Sequence, residues 1–213
     1  MSVRHHPHDA ILLAYATRTL PEALSLMVAC HVAICDRSRE TVARFEALGG
    51  VVLEATDAAE MAPDSLRNVL DQLDMEPDKE IPPKRPNDVL PAPLQDHLGC
   101  GLEGLSWRDA GAGLREVSID TDDAVTARLL WATEGAALPD LREDRVEMTL
   151  VLDGTYTTGG QVFTRGDVDI GAGEHGLKSR VEESGPCLCM RVTQTPQSLQ
   201  DLAPDIARQF VRV

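Results

Sequence analysis

Aromatic side chains are scarce in this chain, at 3% of 213 residues. That scarcity argues against a platform on which the bases of a single strand of nucleic acid would stack. Clustered positive charge is missing too. Residues 1–80 hold 7 basic against 14 acidic side chains, residues 94–213 hold 11 against 20, and the formal net charge is −15. Phosphate backbones are bound by groups of Lys and Arg, so direct DNA or RNA binding is not expected. No apolar run approaches the ~20 residues that span a bilayer. The opening MSVRHHPHDAILLAYATRTL has no signal-peptide cleavage pattern, so a cytoplasmic chain without a membrane segment is expected. The five cysteines, Cys30, Cys35, Cys100, Cys187 and Cys189, are too few and odd in number for a disulfide framework. In a reducing compartment they read as free thiols or metal ligands.

What the chain does have is 43% apolar residues, enough for a core, in a length that suits one large domain or two small ones. The first third has helical periodicity. One helix is expected from about His8 to Arg18, and a second starts after Pro21 and is apolar nearly all round through ALSLMVACHVAIC. A third is expected from about Arg39 to Leu48, with Gly49-Gly50 as its C-terminal break. A fourth, beginning near Pro63, sets Leu66, Val69, Leu70 and Leu73 on one stripe, which suits either core packing or a partner's groove. Residues 76–93, EPDKEIPPKRPNDVLPAP, contain six prolines and read as a semi-rigid spacer. Beyond it the period becomes two. AVTARLLWA, VEMTLVLDG, QVFTRGDVDI, LKSRVEE and CLCMRVTQT are short β-type runs with turn residues between them, the pattern of a sandwich or small barrel. The final LAPDIARQFVRV suits one more turn and a closing strand.

His31 and Cys35 stand four apart, so a helix carries both on one face. Zinc takes nitrogen and sulfur ligands at about 2.0–2.3 Å and needs two more for a tetrahedron. Three imidazoles near the start, His5, His6 and His8, are within reach if the chain folds back. Without zinc, the same residues read as a half-buried histidine beside an inert thiol.

With their surroundings, these residues resemble a known family. RHHPHDAILLAYATRTLPEA and CHVAICDRSRE are similar to the zinc-binding domain of ChrR-type anti-sigma factors, in which an N-terminal His joins an H-x3-C-x2-C motif. The resemblance implies zinc ligation by His6, His31 and Cys35. The fourth position holds Ser38, a poor ligand that leaves a water, His5 or His8 to complete the shell. Read structurally, Ser38 is a good N-cap for the third helix, and the unit folds by apolar packing alone.

GAALPDLREDRVEMTLVLDG, from Gly135 to Gly154, resembles the first cupin motif: glycine, five residues, H-x-H-x3-E, six residues, glycine. Both glycines and Glu147 are in place, but Leu141 and Glu143 occupy the histidine positions. GDVDIGAGEHGL follows the second cupin motif, with Leu177 at its histidine position. Glu143, Glu147 and His175 read either as a weak metal site or as rim carboxylates and a surface histidine. Cys187 and Cys189 fall on one strand face, as oxidant sensors or, more commonly, as buried wall residues.

The fold class expected is therefore multidomain: an all-α anti-sigma-like unit (1–76), a Pro-rich linker (77–93) and an all-β cupin jelly-roll barrel (94–213). The resemblance implies a non-enzymatic, cytoplasmic regulator that inhibits an extracytoplasmic-function sigma factor, the cupin unit taking part in release under stress. The rivals are a metal-dependent cupin oxygenase or isomerase, and a metal-free cupin that senses a small ligand. The enzyme needs metal ligands that these motifs lack.

Overall fold

The computed structural model describes residues 3–73, 89–121, 125–139, 146–172 and 179–194. Helices come first: α1 (Asp9–Ala16), α2 (Glu22–Ile34), α3 (Asp36–Glu54) and α4 (Ser65–Leu73). α5 (Ala92–Leu98) follows the Pro-rich segment, and nine strands complete the described chain. These are β1 (Arg108–Gly111), β2 (Leu114–Ile119), β3 (Thr126–Ala132), β4 (Val146–Asp153), β5 (Thr155–Thr158), β6 (Gln161–Thr164), β7 (Val168–Ala172), β8 (Arg180–Val181) and β9 (Cys187–Gln194). A six-stranded sheet runs β1-β2-β3-β9-β4-β7 and a three-stranded sheet runs β6-β5-β8. All pairings among these strands are antiparallel.

Period-two alternation divides the large sheet between two cores. Met148, Leu150 and Leu152 of β4 and Leu188, Met190 and Val192 of β9 pack in one cluster with Ile11 and Leu12 of α1 and Leu24, Met27 and Val28 of α2. The residues between them, Val151, Cys187 and Cys189, turn to the other face and meet Tyr156, Phe163 and Val181 of the small sheet. Helices and sheet thus share one apolar core.

Three features depart from the sequence expectations. α3 runs on to Glu54 through Gly49 and Gly50. Neither glycine takes the left-handed conformation of a C-terminal cap, and both face open space. Each costs the helix about 1 kcal/mol relative to Ala, which is too little to end it before Val51–Glu54. Ser38 is not an N-cap, because α3 starts two residues earlier and Cys35, in extended conformation, links it to α2. α5 is a helix in the part expected to be all β. Pro91 sets its start, Gly99 at φ 68° ends it, and Leu94 is fully buried, with α5 lying against α2. The segment LAPDIARQFVRV lies outside the described residues.

The α4 stripe is left open to solvent. Leu66, Val69, Leu70 and Leu73 are 69%, 56%, 51% and 73% exposed, and no residue of α4 is buried. Leu48, Val51, Val52 and Leu53 on the outer half of α3 are exposed as well, as is Met61.

Candidate metal centre

Two helices and an extended strap meet at one point. α2 carries His31 in its last turn, the chain bends at Cys35, and Ser38 lies in the first turn of α3. Residues 3–6 approach from the side, pinned to the turn between β6 and β7. The amide N–H groups of Arg4 and His5 donate to Oδ1 of Asp167 at 2.6 and 2.8 Å, and the His5 carbonyl accepts from the N–H of Val168 at 3.0 Å. This brings His6 Nδ1 to 3.4 Å from Cys35 Sγ, with its ring edge-on to His31 at 5.9 Å between centroids. One ligand atom from each of His6, His31 and Cys35 can be chosen so that all lie within 4.8 Å of one another. A zinc tetrahedron has edges of about 3.3–3.8 Å from its ligand distances, so small side-chain shifts close the gap.

The donor chemistry also fits. His31 is fully buried, and its Nδ1–H donates to the carbonyl of Gly166 at 2.8 Å. That bond fixes the tautomer and leaves the Nε2 lone pair free to accept, the arrangement of zinc-binding imidazoles. The lone pair accepts the Ser38 hydroxyl at 2.8 Å, and Ser38 is as buried as His31. Metal and hydroxyl proton therefore compete for one lone pair. Burial pushes the His31 pKa down to about 4, against a raising contribution from the Gly166 carbonyl. Burial, helped by Arg37, also lowers that of His6. Both imidazoles are held in the neutral form that binds metal.

This gives a pH dependence of defined sign. The unfolded chain protonates His31 near 6.5, whereas the folded chain resists until about 4, so stability is lost as pH falls through that window. Between pH 7 and 4 the loss from this group in metal-free protein should be about 3 kcal/mol. The check is the imidazole titration followed by NMR: a His31 midpoint near 6.5 would sink the assignment.

The other candidates do not join the cluster. His8 Nδ1 caps α1 by accepting the Ala10 N–H, and the His5 ring packs on Phe163 at 4.4 Å. In the sheets, Glu147 points into the interior and pairs with Arg191, Nη1 to Oε2 3.2 Å, each side chain about 10% exposed. Arg191 Nη1 also donates to the carbonyl of Pro139 at 3.0 Å. Glu143, His175, Leu141 and Leu177 lie outside the described residues. Cys187 and Cys189 are wholly buried wall residues on one face, as alternation requires. Sequence reasoning missed Arg191 and Asp167. The signal for Arg191 was its place two residues beyond Cys189, on the same interior face of β9.

No family model matches the chain. The anti-sigma-E factor ChrR of Cereibacter sphaeroides is 36% identical over 213 residues, the whole of both chains. The crystal structure of Rhodobacter sphaeroides SigE in complex with the anti-sigma ChrR holds a chain of similar fold. It has a TM-score of 0.80 and 36% identity, covering 91% of this chain and 100% of that one. A fainter likeness links 43% of this chain to 86% of an RmlC-like cupin from Shewanella frigidimarina, at 21% identity and a TM-score of 0.36.

Proposed function

The chain belongs to the ChrR family of anti-sigma factors, and from that premise we propose that it sequesters an extracytoplasmic-function sigma factor through its helical unit, residues 1–76. The observation that carries the reading is the open apolar face of α4 and outer α3. A nine-residue helix is too short to persist in water by itself, and an apolar stripe at i, i+3, i+4 and i+7 is the form that enters a partner's groove. The net charge of −15 complements the basic faces with which sigma factors approach DNA. Purified chain mixed with a sigma factor of its host should form a one-to-one complex and block transcription from that factor's promoters. A sigma factor panel that elutes entirely free would overturn the proposal.

In this reading His6, His31 and Cys35 hold a structural zinc, and a water or the Ser38 oxygen completes the shell. Zinc would tie the strap to the α2–α3 bend by charge and geometry, with no catalytic part. Metal analysis should give at most one zinc per chain, lost in Cys35→Ala. Ser38→Cys should tighten binding by about a hundredfold, since a thiolate replaces a neutral oxygen. Two tightly held metals per chain would contradict this assignment.

The sheets of residues 94–213 act, we propose, as a cupin barrel that regulates release and is not an enzyme. The Arg191 guanidinium beside Glu147 supports this, because it neutralises the motif carboxylate that a metal enzyme would use as a ligand. The proposed setting is the cytoplasm; among the described residues no helix is long and apolar enough to cross a membrane.

A further inference from the structure

Asp167 is fully buried and lies in the β6–β7 turn, more than 160 residues from the strap it holds. Its Oδ1 accepts the Arg4 and His5 amides, and its Oδ2 accepts the N–H and the hydroxyl of Thr164 at 2.8 and 3.0 Å. Burial alone would raise the pKa of this carboxyl, but the donated hydrogen bonds outweigh it and keep the pKa below the ordinary value. Directly before it, Gly166 gives its carbonyl to His31 Nδ1. Gly166 sits at φ 90°, and a Cβ there would meet Val3 of the strap at 2.7 Å and Ile34 of α2 at 2.9 Å. So one two-residue stretch of the β unit grips both arms of the metal centre. Asp167 fixes the strap that presents His6, and Gly166 fixes the ring of His31. Arg165 anchors the same turn, its Nη1 donating to the carbonyls of Leu152 and Val89.

We propose that Asp167 is a positioning residue for the metal centre, and that the β6–β7 turn is the link by which the β unit controls how tightly His6 is held against Cys35 and His31. The proposal deepens the zinc reading above and rests on it only for the metal arm of the test. A carboxylate that accepts four hydrogen bonds in a fully buried place defines the strap's position narrowly. A neighbouring imidazole moved by an ångström no longer completes a tetrahedron, so loosening the turn loosens the metal.

The test uses full-length Asp167→Ala, with Thr164→Val as the milder variant in case the first folds poorly. Three readouts are taken: amide exchange at Arg4, His5 and Val168, site-resolved alkylation of Cys35, and zinc affinity. Exchange at these amides should quicken by at least about tenfold in Asp167→Ala. Cys35, only 4% exposed, should alkylate faster by a similar factor. Zinc affinity should fall by about 10–100-fold, the cost usual for an outer-shell partner. Thr164→Val should move all three the same way by less. The decisive readout is a cycle with His6→Ala. If Asp167 acts through His6, its removal costs no further zinc affinity in that background, whereas a general structural defect adds its full cost. Unchanged exchange in Asp167→Ala, or additive losses in the cycle, would overturn the proposal. If the wild-type chain holds no zinc, the zinc reading fails by itself, and the Cys35 alkylation rate then decides for or against the clasp.

Discussion

Replacing Leu66 and Leu70 together by Asp should abolish binding to the sigma factor while leaving thermal unfolding of the free protein unchanged. Each leucine that enters a groove contributes about 1.5–3 kcal/mol of transfer free energy, and a buried unpaired carboxylate costs more than that gain. The pair should therefore weaken the complex by at least about 4 kcal/mol, a thousandfold or more in Kd. In the free chain both side chains are more than half exposed, so the substitutions remove little packing there. The combination discriminates among occupants of the stripe. A stripe that packs on this chain's own body in solution would lower the melting temperature when charged. A stripe that joins two copies of the chain would show as a change in sedimentation without the partner. Wild-type affinity in the double variant would mean that the partner is held elsewhere.

The same stripe marks where a single sequence stops being legible. Periodicity identifies α4, but the spacing i, i+3, i+4, i+7 serves a core and a partner's groove equally. Only its exposure in the folded chain separates the two. The strands β3, β4 and β9 were readable because one face meets helices and the other meets a second sheet, which makes them short runs that are apolar on both sides. β1, β2 and β5 carry Arg, Asp, Glu and Thr in short runs and gave no such signal. At the candidate metal site, the H-x3-C spacing marked two of the three clustered side chains, and the resemblance supplied His6. What brings His6 to them is Asp167, more than 160 residues away, and no local pattern encodes so distant a hydrogen bond. The reading of Ser38 as an N-cap failed for a related reason. A serine before a helix and a serine inside its first turn look alike in sequence. The tertiary partner, the lone pair of His31, decides between them.

The interior of the sheets offers the second large effect, and it bears on how Glu147 is held there. Two carboxylates without a cation are an unstable burial, as the motif residues alone imply. The described structure supplies a cation from the chain itself. Arg191 reaches across from β9 and pairs with Glu147, and both side chains are about nine-tenths buried. Such a pair is sensitive to removal of one partner, because the survivor keeps its desolvation cost without its counter-charge. Arg191→Leu should therefore destabilise the protein by about 3–5 kcal/mol. The double variant Arg191→Leu with Glu147→Leu should recover most of that loss, since apolar residues of similar volume commonly replace a buried pair at little cost. Both tryptophans report the transition. Trp131 of β3 and the nearby Trp107 flank the guanidinium of Arg115, at 4.1 and 5.9 Å, so their fluorescence changes when the large sheet opens. Metal gives the sharper contrast. Iron or manganese should not raise the melting temperature of the wild-type chain, but should partly restore Arg191→Leu, where the guanidinium no longer faces the Glu147 carboxylate. A metal-dependent rise in the wild type that vanishes in Glu147→Gln would show that an ion displaces Arg191. The regulator reading of these sheets would then give way to a metal-dependent one.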